Sequence, residues 1–96
     1  MLAVNLLQFT RVSHVKSNIL NSGYFAVGKD ISAGRYKVTT SSGSGNFIVE
    51  RGNYPIVNEI LSSHPDSYEV GSVTTTLKNG DHINISGLDR VIFTRK

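Results

Sequence analysis

The spacing of glycine is the feature that most constrains what this chain can fold into. All nine glycines lie at or after Gly23, and most stand beside Asn, Asp or Ser in short clusters. Glycine adopts the positive φ angles that tight turns require, so each cluster predicts a turn. The clusters recur roughly every 8–12 residues, and the runs between them alternate apolar and polar residues as half-buried strands do. This spacing predicts an all-β protein.

About seven or eight short runs have the pattern of strands. The clearest covers residues 36–40, in which Tyr36, Val38 and Thr40 share one face. The other runs are residues 24–27, 46–51, 68–70, 73–77, 82–86 and 91–94, with residues 56–61 as either an edge strand or one helical turn. Many short strands with regular turns are typical of an antiparallel β-sandwich, which is our prediction. A small barrel or a jelly roll is the alternative.

Two of the turns predict hairpins. Residues 41–45 are all small, and they predict a hairpin between residues 36–40 and residues 46–51. Asn79 and Gly80 lie between two alternating runs. An Asn-Gly pair in that position is the strongest short-range hairpin signal, because both residues tolerate the left-handed angles of a type I′ turn.

A proline marks one edge of the predicted sheets. Pro55 has no backbone N–H to donate, so a strand that contains it belongs at an edge. Exposed strand edges invite pairing with other chains. We predict that Pro55 and the nearby Arg51 protect this edge.

Apolar side chains on the inward faces of the strands form the predicted core. They are Ile31, Tyr36, Val38, Phe47, Val49, Val73, Leu77, Ile83, Ile85, Leu88, Val91 and Phe93. Alternation assigns the side chains between them to the surface, including Asn84, which stands between two core isoleucines.

Residues 23–96 form one predicted β domain, and residues 1–22 form a separate N-terminal segment. This segment has no glycine or proline and fits either a strand or a short helix. It contains an apolar group made of Leu2, Val4, Leu6 and Phe9, together with Leu7. So much apolar surface is unfavourable in water. We therefore predict that residues 2–9 add a strand to the domain's own sheet or pair with a second copy to form a homo-oligomer.

Composition excludes several classes of protein. The chain has no cysteine, which excludes disulfides, thiolate metal sites and a cysteine nucleophile. Its apolar runs fall short of the roughly 20 residues of a membrane-spanning helix. The N-terminal segment also lacks the pattern of a secretory signal, because Asn5, Gln8 and Arg11 interrupt its apolar residues.

Three stretches of turn and core residues resemble a known pattern. They are VGxDIxxGxYxV at residues 27–38, NFxV at residues 46–49 and LxxGDxIxISGLxxVxF at residues 77–93. Through them, residues 24–94 resemble a small β module of secreted and lipoprotein-like proteins from Gram-positive bacteria. The resemblance implies a β fold and an extracytoplasmic setting. It implies no chemistry, because the matching residues are those of turns and core.

The side chains that most often carry catalysis are isolated in this sequence. His14 lies in the N-terminal segment, His64 in a polar loop and His82 after a turn, and none has a partner at the spacing of a metal site. Ser44 lies between two glycines but lacks the strand-to-helix elbow of a serine nucleophile. The four aspartates fall in predicted turns, where Asp caps backbone donors. We predict no catalytic, cofactor-binding or metal-binding residue.

The remaining candidates form a predicted binding surface. Tyr24, Tyr54 and Tyr68 lie at turns or strand ends, where an exposed ring stacks on a sugar or anchors a protein interface. Arg35 and Lys37 share the outward face of one strand, as the cations of a small nucleic-acid-binding barrel do. The basic residues are otherwise scattered and the formal net charge is only +3, which disfavours nucleic acid as a partner.

These observations favour a non-catalytic binding or accessory module of a bacterial surface or secreted protein, with a protein or a carbohydrate as its ligand. Two alternatives belong to other classes. One is a small β-barrel that binds single-stranded nucleic acid, and the other is an unrecognised hydrolase.

Overall fold

The structure, a computed structural model, describes residues 17–96, and its regular elements there are nine β-strands. They are β1 (Ile19–Leu20), β2 (Gly23–Ala26), β3 (Gly34–Thr40), β4 (Ser44–Arg51), β5 (Tyr54–Ser62), β6 (Glu69–Val70), β7 (Val73–Leu77), β8 (His82–Ser86) and β9 (Val91–Arg95). His14 and the apolar group of residues 2–9 lie outside the described residues. Within residues 17–96, no helix is long and apolar enough to cross a membrane.

The strands form two sheets. One has the order β1-β9-β3-β7, and the other has the order β2-β8-β4-β5-β6. Neighbouring strands are antiparallel except for β5 and β6, which are parallel. The sheets pack face to face around one core and do not close into a barrel within the described residues. The prediction of an antiparallel β-sandwich is therefore confirmed.

Alternation along the strands builds the core, as the sequence predicts. In β8, Ile83 and Ile85 are buried whereas Asn84 between them is exposed. Every predicted core residue is buried except Val73, which is half-buried on the edge strand β7 and packs against the core. The core also contains three residues that the sequence analysis did not include, namely Leu20, Val27 and Leu61.

The hairpin predicted across residues 41–45 does not form, so this prediction is wrong. β3 pairs with β7 and β9, whereas β4 pairs with β5 and β8 in the other sheet. The hydroxyl of Thr40 at the end of β3 donates to the carbonyl oxygen of Arg90 at 2.7 Å, which anchors the point where the chain leaves its sheet. The small residues of this loop therefore connect the two sheets rather than two paired strands.

The hairpin predicted at Asn79-Gly80 is also wrong, because β7 and β8 belong to different sheets. A turn does form, with the N–H of Asp81 donating to the carbonyl oxygen of Lys78 at 3.0 Å. Gly80 has a φ of 94°, whereas Asn79 has no positive φ. A type I′ turn needs positive φ at both central residues. The Asn-Gly pair therefore does not form the type I′ turn of a β-hairpin.

The hairpin that does form joins β4 to β5 through Gly52, whose φ is 64°. Residues 56–61 belong to strand β5, which settles the choice between a strand and a helical turn in favour of the strand. β6 pairs only with Ile60 and Leu61, so the part of β5 that contains Pro55 has a strand on one side only. Pro55 therefore lies at a sheet edge, as predicted.

Candidate binding surface

The structure does not bring the five predicted binding residues together. Tyr24 lies on the outer face of the five-stranded sheet, whereas Arg35 and Lys37 lie on the outer face of the four-stranded sheet. Tyr54 begins β5 at the end of the β4–β5 hairpin, and Tyr68 precedes β6. All three tyrosines are exposed, at 61% for Tyr24, 76% for Tyr54 and 89% for Tyr68.

The outer face of the five-stranded sheet is rich in asparagine, and we call it the asparagine face. Strand register defines two rows of side chains that cross it. One row is Tyr24, Asn84, Ile48 and Asn58, and the other is Ser86, Asn46, Ile60 and Glu69. His82 and Glu50 extend the face towards the β4–β5 turn. The Tyr24 of the prediction thus lies among polar, mostly uncharged neighbours.

An aromatic stack stands on this face. The rings of Tyr24 and His82 are nearly parallel, with an interplanar angle of 8° and ring centroids 5.1 Å apart. His82 therefore covers one face of the tyrosine ring and fixes its orientation. Since Tyr24 is still 61% exposed, the other face of its ring is accessible. The contact of His82 with Tyr24 is not visible in the sequence, because it depends on the pairing of β2 with β8.

The amide side chains of the asparagine face are exposed and offer both donors and acceptors. Asn46, Asn58 and Asn84 are all exposed, and each amide has an acceptor oxygen and a donor NH₂ group. The Nδ2 of Asn46 donates to the Oγ of Ser86 at 3.3 Å, which links two neighbouring strands. The half-buried Ile48 lies between Asn84 and Asn58 in the same row. The face therefore combines a small apolar centre with hydrogen-bonding groups around it.

A cavity of about 270 Å³ lies at the β6 end of the asparagine face. Ile60, Asp66, Ser67, Tyr68 and Glu69 line it. The backbone N–H of Asp66 donates to the Oε1 of Glu69 at 2.9 Å, and the N–H of Ser67 donates to the Oδ1 of Asp66 at 2.9 Å. These bonds hold the loop that carries Tyr68.

The outer face of the four-stranded sheet has a different composition, and we call it the threonine face. Its outward side chains are Arg35, Lys37, Thr39, Thr74, Thr76, Ile92 and Thr94. The Nη1 of Arg35 donates to the Oγ1 of Thr76 at 2.9 Å. The one aromatic residue of β3, Tyr36, is 4% exposed and points into the core. The two predicted cations thus lie on a face without an exposed aromatic ring among the described residues.

A bidentate ion pair ties the end of β4 to the loop between β7 and β8. The Nε and Nη2 atoms of Arg51 donate to the two carboxylate oxygens of Asp81 at 2.9 and 2.8 Å. Nη2 also donates to the carbonyl oxygen of Thr76 in β7 at 3.2 Å. The hydrogen bond from Arg51 and the one from the N–H of Lys78 lower the pKa of Asp81 against the opposing effect of burial. The same hydrogen bond raises the pKa of Arg51.

A second cavity, of about 170 Å³, lies at the end of the sandwich beside Arg95. The Nη2 of Arg95 donates to the Oη of Tyr36 at 3.1 Å, and that hydroxyl donates to the carbonyl oxygen of Ser32 at 2.7 Å. A Cβ on Gly34 would collide with the Arg95 guanidinium, so the glycine makes room for it. The polar groups here bind one another, and they close the end of the core.

Two histidines lie within the described residues, and they do not combine into a catalytic or metal-binding group. The Nδ1 atom of His64 lies 3.1 Å from the Oγ of its chain neighbour Ser63. His82 stacks on Tyr24. In residues 17–96, no group of three or more His, Cys, Asp or Glu side chains is arranged to hold a metal ion.

Comparison of this chain with protein-family models, with curated proteins and with solved structures finds no match.

Proposed function

We propose that this chain is a non-catalytic binding or accessory module of a bacterial surface or secreted protein, and that its ligand is a protein or a carbohydrate. The observation that carries the proposal is the Tyr24–His82 stack on the asparagine face. An aromatic ring that is 61% exposed and fixed by a second ring contributes nothing to the core, yet it is ready to contact a ligand. Tyr68 and Tyr54 extend the exposed aromatic surface at the two ends of β5.

The protection of the sheet edges supports binding through a face rather than through strand addition. On β2, the N–H of Ala26 donates to the Oδ2 of Asp30 at 2.8 Å, which occupies one outward donor. On β7, Arg51 occupies the carbonyl oxygen of Thr76, and on β5, Pro55 lacks an N–H. An incoming strand needs these groups for its ladder of hydrogen bonds. Strand addition is therefore hindered at these three positions, which favours side chains on the faces as contacts.

The test is a binding screen of the whole chain against bacterial surface extracts and a glycan array. We expect the wild-type chain to capture a ligand and the Tyr24→Ala variant to lose it. Lys37→Ala is the matched control, because Lys37 is an exposed strand residue on the opposite face. Equal capture by the Tyr24→Ala variant, or capture that only Lys37→Ala removes, would contradict the proposal.

The second candidate ligand is single-stranded nucleic acid. The observation that favours it is the pair of cations, Arg35 and Lys37, on the outward face of β3. Binding a single strand combines a positive groove with aromatic rings on which bases stack. Here the cations lie on the threonine face, while Tyr24 lies on the opposite side of the sandwich. We therefore expect only weak retention on heparin that modest salt abolishes and that the Arg35→Ala/Lys37→Ala double variant reduces. Retention that survives physiological salt would favour nucleic acid instead.

We also propose that the chain forms a homo-oligomer through Leu2, Val4, Leu6 and Phe9, or that these residues complete its own sheet. The support is the density of apolar residues in the first nine positions of the sequence. Deletion of residues 1–9 separates the two outcomes in sedimentation and thermal unfolding. A dimer would dissociate, whereas a monomer whose sheet includes the segment would lose stability. Unchanged mass and unchanged stability would exclude both.

A further inference from the structure

The chemistry of the asparagine face distinguishes between the two ligand classes of the proposed function. Its aromatic element is an open ring face, because His82 backs only one side of Tyr24. An open ring face matches the C–H surface of a sugar ring, which is flat and weakly apolar. A tyrosine that anchors a protein interface, in contrast, inserts into a pocket of the partner. Tyr24 is less suited to insertion, because one face of its ring is stacked on His82.

The groups around Tyr24 match hydroxyls rather than charges. Asn84 is opposite Tyr24 in the register, and Asn58 follows across Ile48 in the same row. Asn46 and Ser86 add a further amide and a hydroxyl in the next row. A sugar hydroxyl both donates and accepts a hydrogen bond, and amides and hydroxyls are the uncharged side chains that do the same. The face therefore offers paired donors and acceptors to a polyhydroxylated ligand.

The charges at the margin of the face disfavour an anionic ligand. The outward side chains of the five-stranded sheet described here include no lysine or arginine. The charged groups at its margin are the carboxylates of Glu50, Asp66 and Glu69. These carboxylates repel phosphates, sulfates and uronates, whereas they accept hydrogen bonds from neutral hydroxyls.

The length of the face suits an extended ligand. Tyr24 lies on β2 at one edge of the sheet, and Tyr68 lies beside β6 at the other. Four strand spacings separate β2 from β6, which corresponds to about 19 Å. The cavity between Ile60 and Tyr68 provides a second contact beyond the row of asparagines. A chain of linked sugars therefore has contacts from one edge of the face to the other.

We propose that the asparagine face binds a neutral carbohydrate chain, with a sugar ring on the open face of Tyr24 and its hydroxyls on Asn84, Asn46 and Asn58. This inference rests on the proposed function as a binding module and names the ligand class of that module. Tyr68 and the neighbouring cavity hold the far end of the chain.

Affinity electrophoresis of the whole chain tests the proposal. Soluble β-glucan, xylan, mannan and starch are the neutral probes, and polygalacturonate and heparin are the anionic probes. We expect at least one neutral polysaccharide to retard the wild-type chain. Tyr24→Ala should weaken that binding about tenfold, and Asn84→Ala should weaken it by a smaller factor. Tyr24→Phe, which keeps the ring, should bind like the wild type.

Two controls keep the test specific. Lys37→Ala changes an exposed side chain on the opposite face and should leave the retardation unchanged. Tyr24 and Asn84 are exposed, so their variants should melt within about 4 °C of the wild type. In ¹H–¹⁵N spectra, the bound polysaccharide should shift the side-chain amide signals of Asn46, Asn58 and Asn84 more than the backbone signals of β3.

The outcomes separate this inference from the proposed function. If none of the four neutral probes retards the chain while a protein partner is captured through Tyr24, the carbohydrate inference is overturned and the binding module stands. If only anionic probes bind and Lys37→Ala removes that binding, the asparagine face is not the site and both proposals fail. Unchanged binding of a neutral probe by Tyr24→Ala also overturns the inference.

Discussion

The threonine face and the asparagine face are the two outer surfaces of one sandwich, and they differ in the residue types that fill their strands. The threonine face carries Thr39, Thr74, Thr76 and Thr94 among its outward residues, together with Arg35 and Lys37. The asparagine face instead carries Asn46, Asn58 and Asn84 with an aromatic stack and three carboxylates at its margin. The same alternation of inward and outward side chains produces both faces.

Strand stability explains the residue types of one face but not those of the other. Threonine is β-branched and enriched in strands, so the threonine face is accounted for by the stability of the strands themselves. Asparagine is depleted in strands. Strand stability therefore does not explain three outward asparagines on one sheet. A ligand that forms hydrogen bonds with their amides would explain them.

The largest expected effect tests the assignment of inner and outer faces on β8. Ile85 is 2% exposed in the core, whereas its neighbour Asn84 is exposed on the asparagine face. Ile85→Asp places a charge among apolar side chains and should cost more than about 4 kcal/mol, which is enough to unfold a small domain. Asn84→Asp should change the free energy of unfolding by less than about 1 kcal/mol. Circular dichroism with urea unfolding measures both.

An unchanged melting temperature for Ile85→Asp would show that the faces are exchanged, because a shift of one residue in register moves every side chain to the other side. The side chains of β8 now placed on the asparagine face would then belong to the core.

The next effect concerns the ion pair between Arg51 at the end of β4 and Asp81 in the loop that joins the two sheets. Hydrogen bonding to Arg51 and Lys78 holds the pKa of Asp81 below its usual value near 3.8. A lowered carboxyl pKa gives stability that is fully present above the unfolded pKa and is lost as the pH falls through the folded pKa. Asp81→Asn should therefore lower stability at pH 7 by about 1–2 kcal/mol.

The pH dependence identifies the cause of that loss. The difference in stability between the wild type and Asp81→Asn should shrink as the pH falls from about 4 towards about 2, because the wild type loses the same ion pair by protonation. Asp89→Asn is the control, since Asp89 is exposed. A difference that stays constant from pH 7 to pH 2 would mean that the charge of Asp81 does not stabilise its contact with Arg51.

The sandwich and its core were predictable from the sequence because both depend on local patterns. Alternation placed Phe47, Val49, Ile83 and Ile85 in the core, and Pro55 located an edge. The pairing of strands was not predictable in the same way. Glycine, serine and asparagine permit the chain to turn, but they do not specify whether the next strand joins the same sheet or the opposite one.

The loop after β7 shows what local turn chemistry leaves out. The carboxylate of Asp81 is buried and binds Arg51 from a different strand, which ties this turn to the β4–β5 hairpin. That contact is distant in sequence, so the Asn-Gly signal alone predicted a hairpin that does not exist. Arg51 was expected to protect the edge that contains Pro55, but its guanidinium binds Asp81 and the carbonyl oxygen of Thr76 on β7, an edge of the other sheet.

The candidate site was only partly predictable from the sequence, because it too depends on contacts between residues that are distant in sequence. The sequence identified Tyr24 as a binding residue and Asn84 as an outward residue. It gave no sign that they are opposite each other, or that His82 stacks on Tyr24, because both contacts depend on the register between β2 and β8. Its prediction of one surface that includes Arg35 and Lys37 joined residues that the sandwich separates.

The smallest expected effect tests whether an outward asparagine on the asparagine face lowers the free energy of unfolding. Asn58 on β5 and Thr74 on β7 are matched positions, since both are exposed and both lie where a strand has a neighbour on one side only. Asn58→Thr should raise the free energy of unfolding by about 0.5 kcal/mol, and Thr74→Asn should lower it by a similar amount. For a domain of this size, the two substitutions should shift the melting temperature in opposite directions, each by roughly 2–4 °C.

If Asn58→Thr lowers the melting temperature instead, the asparagine stabilises the fold, and its presence no longer argues for a ligand. If the variant is more stable and also binds neutral polysaccharide less tightly, the amide of Asn58 is retained for binding at the expense of strand stability.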